Sequence, residues 1–228
     1  MTATSPLPAP HVILIEQPSK VPGKRGMEGF WGMRYGNKTV LTAYLSPIDL
    51  LLDSMRGSAP NQAFKFPSLD RLPAARVKQT FPTGVELDIA CGFLARDGQL
   101  LLSPSGKWRR NVLVHDVRAP LRMGILVPEY TTDGRRAISR LFEGAGLFAW
   151  QDTLQSLARI WKGDRMKHAI DSALATASTV VHSAGQVVNQ IAVFDPEAEQ
   201  WHFVPCQTMD DVPENNHPHG GGDSATVG

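Results

Sequence analysis

Apolar and polar residues follow two different periods along this chain, and the changeover falls near residue 130. Up to residue 127 the apolar residues come in short runs bounded by glycine, proline, asparagine and serine, the signature of strands and turns. From 131 to 188 they recur every three or four residues, as on one face of a helix. Residues 190–204 return to strand spacing. The pattern therefore predicts an α+β fold: antiparallel β meander and hairpins over 11–127, a helical segment over 131–188 packed on the sheet, and a C-terminal β-hairpin.

Residues 11–16 (HVILIE) read as a buried strand. A loop over 18–29 follows, with a basic tip at Lys24 and Arg25. Residues 30–35 and 39–44 form a predicted hairpin, because Gly36 and Asn37 tolerate positive φ. Ser46-Pro47-Ile48-Asp49 opens a helix: Ser46 caps it, Pro47 suits its first position, and Asp49 complements its dipole. Gly57 closes that helix. Four prolines over 58–84 predict a long loop. Val85, Leu87, Ile89, Cys91 and Phe93 alternate with other residues, which predicts a half-buried strand carrying Glu86 and Asp88 on its solvent face. Asp97-Gly98 turns the chain into a strand at 100–103. Residues 104–110 read as a second basic tip, and 111–117 and 121–127 as further strands.

Thr131 to Asp133 supply caps for a helix carrying Ile138, Leu141 and Phe142. A second stripe runs from Leu147 through Trp150, Leu154, Leu157 and Ile160 to Trp161. The spacing of Met166, Ile170, Leu174, Ala177, Val181, Ala184 and Val188 predicts a third helix over 165–188. The last hairpin turns at Asp195-Pro196-Glu197. One domain is expected over 1–208, with a disordered acidic and glycine-rich tail over 209–228.

Composition adds little to this picture, but the placement of charge changes it. All 23 Lys and Arg residues lie at or before Lys167, so a body of formal charge +9 precedes a segment of formal charge −8. Such a separation steers partners of opposite sign. Two distant cysteines, Cys91 and Cys206, point to a reducing compartment, and the start of the chain lacks a signal-peptide pattern. No apolar run reaches membrane-spanning length, so a cytoplasmic protein without membrane contact is expected.

No Walker A, G-x-G-x-x-G, H-E-x-x-H or G-x-S-x-G motif occurs, and no cysteine–histidine set has zinc-finger spacing. Neither cofactor nor metal is expected, and a non-catalytic role is favoured. Cys91, His202 and Cys206 read as structural, and His217 and His219 receive no role. Adjacent strand residues point to opposite faces, which separates His115 from Asp116. The basic clusters carry the functional expectation. Lys24 and Arg25, then Lys107-Trp108-Arg109-Arg110, lie at loop tips. Arg135, Arg136 and Arg140 lie early on a helix, and Arg159, Lys162, Arg165 and Lys167 surround a helix junction. Guanidinium groups grip phosphate through paired hydrogen bonds, and an exposed tryptophan among them stacks on an unpaired base. The expected function is a non-catalytic subunit that contacts nucleic-acid backbone, DNA or RNA, beside other protein subunits. The alternatives are a protein-binding adaptor or immunity-type protein, and a carboxylate-dependent hydrolase using Asp88 and Asp116.

Overall fold

The computed structural model describes residues 7–16, 28–35, 38–57, 63–161, 163–183, 186–206 and 225–227. The first helix forms where its caps predict. Ser46 Oγ accepts from the amides of Ile48 (3.2 Å) and Asp49 (3.4 Å), and α1 spans Pro47–Gly57. Before it come β1 (His11–Val12), β2 (Leu14–Glu16), β3 (Glu28–Tyr35) and β4 (Lys38–Tyr44). Strands β3 and β4 pair in the expected hairpin, with Tyr35 opposite Lys38. The predicted tip at Lys24 and Arg25 lies outside the described residues.

The long loop expected over 58–84 is instead partly regular. It holds β5 (Ala63–Lys65), a 3-10 turn at Leu69–Arg71 and α2 (Ala74–Thr80). Pro67, Pro73 and Pro82 lie at or close to the ends of these short elements, where a missing amide costs nothing. Leu69, Leu72, Val77 and Phe81 pin the segment into the core.

Strand β6 (Val85–Arg96) is the axis of the sheet. Residues 87–93 are buried without alternation, so both faces are covered, whereas the sequence predicted one solvated face. The next strands are β7 (Gln99–Leu102), β8 (Arg110–Ala119), β9 (Leu121–Arg122) and β10 (Ile125–Leu126). Strand β8 runs antiparallel along one side of β6. On the other side β4 pairs in parallel with residues 86–90. A parallel pair needs a crossover, and α1 with the segment after it supplies one.

The helices are α3 (Thr132–Gly144), α4 (Trp150–Arg159) and α5 (Asp164–Thr176). Thr131 caps α3 through Oγ1, which accepts from Gly134 N at 3.0 Å. The third helix is shorter than predicted. It stops at Thr176, and Thr179–Val181 forms β11, parallel to β7 at the sheet edge. The β-branched triplet Thr179-Val180-Val181 fits an extended backbone better than a helix, and the open edge of β7 supplies hydrogen-bond partners. Val181 is exposed rather than part of a helical seam, and Ala184 lies outside the described residues.

The predicted hairpin is present as β12 (Gln190–Asp195) and β13 (Gln200–Pro205). Strand β12 also joins β6, with Ala192 opposite Phe93. Within the tail expected to lack structure, Ala225–Val227 forms β14 against β3, and 207–224 lie outside the described residues. Among the described residues the fold is mixed α+β, with one mainly antiparallel twelve-stranded sheet. No described helix is long and apolar enough to cross a membrane.

Candidate functional site

The segment Lys107 to Arg110 leads into β8 and obeys strand alternation, not the geometry of an open loop. Trp108 bridges Leu102 and lies 5% exposed against Phe93, with ring centroids 5.5 Å apart. It is a core residue and cannot stack on a base, which corrects the sequence expectation. Arg110 shares its inward face. Its Nη1 lies 3.2 Å from Asp53 Oδ2, which also accepts from the hydroxyl of Tyr44 at 2.5 Å. Burial, reinforced by Asp53, holds the Tyr44 phenol well above its usual range. Arg110 therefore neutralises an internal carboxylate and is withdrawn from any polyanion surface.

Lys107 and Arg109 take the other face. Lys107 is exposed and Arg109 half-buried, and neither has an ion-pair partner among the described residues. Arg109, whose amide donates to Leu101 O at 2.9 Å, and Arg96 at the end of β6 both lie within electrostatic reach of His182, which follows β11. Burial first, then the charges of Arg109 and Arg96, lowers the His182 pKa. The His182 amide donates to Leu102 O at 2.7 Å, while buried Nδ1 has no hydrogen-bond partner among the described residues. The carboxylate beside Arg96 belongs to neighbouring Asp97, 3.7 Å from Nε and largely solvated. Sequence reasoning missed Arg96 and His182. Arg96 is a lone cation beside a turn, and the apolar spacing predicts a helix through His182, so only the pairing of β11 with β7 brings it toward Arg109.

The other predicted cations sit on separate elements, and several are engaged. Arg135 lies over the Tyr130 ring at 5.7 Å, and Arg165 over Trp161 at 3.8 Å. Arg136 pairs with Asp133 at 3.2 Å, and Lys167 with Asp171 at 2.6 Å. Arg140 is half-buried and Arg159 exposed. Lys162 lies outside the described residues.

A second polar site arises from a bulge. Leu87 faces Val117 and Ile89 faces Val114, so Asp88 alone opposes both His115 and Asp116. Asp116 absorbs the extra residue with φ of 53°. Asp88 is only 3% exposed, and its Oδ1 lies 3.2 Å from His115 Nδ1 and 3.4 Å from the Asp116 amide. This overturns the prediction that Asp88 lies on a solvent face, because both faces of β6 are covered. The hydrogen bond to Asp88 raises the His115 pKa against the opposing effect of burial. Arg118, Glu129 and Thr131 complete a small cleft of about 180 Å³ around His115 and Asp116.

Cys91 is fully buried, and burial pushes its thiol pKa up, as for a structural cysteine. No group of three or more His, Cys, Asp or Glu side chains that could hold a metal occurs among the described residues. Comparison with protein-family models, curated proteins and solved structures finds no match for this chain.

Proposed function

We propose that this chain is a non-catalytic binding subunit that contacts the phosphate backbone of a nucleic acid within a multi-protein assembly. The observation that carries this reading is the convergence of Arg96 and Arg109 on the buried His182, with Lys107 on the same strand segment as Arg109. Like charges drawn together with a single solvated carboxylate beside them repel, and a bound anion relieves that repulsion. Guanidinium forks suit phosphate oxygens. The contact is narrower than the sequence suggested, since Trp108 and Arg110 are turned inward. Backbone contacts carry no base preference, so DNA and RNA are both suitable partners. Exposed Met123 and Ile125 on the β9–β10 hairpin support a protein neighbour.

The test is fluorescence anisotropy with labelled single- and double-stranded oligonucleotides at low salt. The double variant Lys107→Glu, Arg109→Glu is expected to bind at least about tenfold more weakly, with a salt slope smaller by about 2. Absence of low-salt binding, or equal binding by a variant with unchanged thermal unfolding, would overturn the proposal.

The Asp88–His115 pair favours a second reading, a hydrolase in which Asp88 orients His115 as general base and Arg118 meets developing negative charge. On this reading Asp88→Asn returns the His115 pKa toward the ordinary imidazole value in an NMR titration and abolishes oligonucleotide cleavage. Cleavage that persists in both Asp88→Asn and His115→Ala would remove it.

A further inference from the structure

A second cleft, among the described residues, lies away from the basic strand edge. It opens where the start of α1, the α3–α4 connection, α4 and the β12–β13 turn meet, and its cavity volume is about 190 Å³. That is smaller than the roughly 300–1,000 Å³ typical of drug-sized ligands, so its occupant is small.

One wall is aromatic and aliphatic. Phe142 and Trp150 stack in parallel with centroids 4.6 Å apart, and Leu154 continues the surface. Phe148, 79% exposed, stands at the lining as well. An aromatic left so bare on the rim of a cleft gains from a partner that covers it.

Acidic residues share the lining. Asp49, 3% exposed, lines the cleft from α1, with Ser46 beside it. Asp195 and Glu197 line it from the turn. Asp195 Oδ1 accepts from the amides of Glu197 and Ala198, which fixes the carboxylate in place. No lysine, arginine or histidine lines the cleft among the described residues. His202 Nε2 lies 3.9 Å from Asp195 Oδ2 and is itself half-buried in the hairpin.

Carboxylates without a lining countercharge, sharing the cleft with stacked aromatic rings, match one ligand chemistry. The ammonium group of such a ligand meets the Asp195 and Glu197 carboxylates and the polar Ser46 and Asp49 side chains, and its apolar body covers the rings, where a cation also gains from the aromatic faces. We propose that this cleft binds a small protonated primary amine carried on an aryl or branched-alkyl body. The inference is independent of the nucleic-acid reading, because none of the cations invoked there lines this cleft.

The probe is phenethylamine, titrated into the full chain at neutral pH and followed by tryptophan fluorescence and by amide shifts in NMR. Its neutral counterpart 2-phenylethanol and its anionic counterpart phenylacetate serve as comparisons. Saturable binding of the amine is expected, at least about tenfold tighter than the alcohol, with shifts centred on residues 146–150 and 193–197. Asp195→Asn keeps an oxygen acceptor for the turn amides but removes the charge, and is expected to weaken the amine without affecting the alcohol. Thr153→Trp, from a half-buried position on α4, is expected to fill the cleft and remove both. Equal affinity for amine and alcohol, amine binding unaffected by Thr153→Trp, or no saturable binding in the millimolar range would each overturn the proposal.

Discussion

Gly92→Ala is expected to lower the unfolding free energy by about 3–5 kcal/mol, measured by urea denaturation. Gly92 lies where β6 exchanges partners. Tyr44 of β4 pairs with Ala90, and Ala192 of β12 pairs with Phe93, so residue 92 spans the gap between two ladders. It has a φ of +68°, and a Cβ placed on it would stand 2.3 Å from Ala192 O. Alanine therefore meets both a disfavoured backbone conformation and a backbone oxygen that cannot rotate away. Relief requires β12 to leave β6, which loosens the C-terminal hairpin. The comparison is Gly98→Ala. Gly98 has a similar φ of +76°, but nothing lies within 4 Å of a Cβ there, so only the conformational cost of about 1 kcal/mol remains. Equal losses at the two positions would show that the close approach to Ala192 is absent in solution.

The second large effect concerns pH and Asp49. The Gly92 amide, left without a ladder partner in the gap, donates to Asp49 Oδ2 at 2.8 Å. Burial raises the Asp49 carboxyl to about 7, the Gly92 hydrogen bond opposes that rise, and Asp53 on the same helix adds to it. Cys91 faces Asp49 from β6, and Asp195 and Glu197 share the cleft with it. In the unfolded chain the carboxyl titrates near about 3.9. A folded pKa above the unfolded one means that the folded state holds the proton more tightly. The contribution is complete below the unfolded value and is lost as pH rises through the folded one. Between pH 4 and 8 it amounts to about 4 kcal/mol, from a shift of about three units. Asp49→Asn keeps an oxygen acceptor for Gly92 but cannot ionise. The difference in unfolding free energy between wild type and variant should therefore favour the variant progressively from pH 4 to pH 8. Other titrating groups, such as His11 and His115, cancel in that difference. A pH-independent difference would refute the buried, proton-holding carboxyl.

Both effects depend on residues whose roles are invisible in linear order. Asp49 reads as a dipole-compensating acid in the first turn of a helix, and it does occupy that turn. Its burial follows from an amide 43 residues away that needs an acceptor. Asp88 reads as the solvent side of an alternating strand, because alternation reveals period but not whether the second face is covered. Lys107-Trp108-Arg109-Arg110 reads as a basic tip, and its strand periodicity becomes apparent only when Leu102 and Trp108 are seen to pair.

Local chemistry alone determined the α+β class, the cap and stop of α1, the pairing of β3 with β4, the start of α3 at Thr131 and the C-terminal hairpin. Each of these rests on interactions within a few residues, namely capping, turn conformation and apolar spacing. Tertiary structure decided the central placement of β6, the conversion of 179–181 from helix to edge strand, and the joining of Arg96, Arg109 and His182. It also brought aromatic residues and carboxylates into one cleft. These features arise from hydrogen-bond pairing and burial between segments far apart in the chain, and a residue's neighbours in sequence carry no record of such partners.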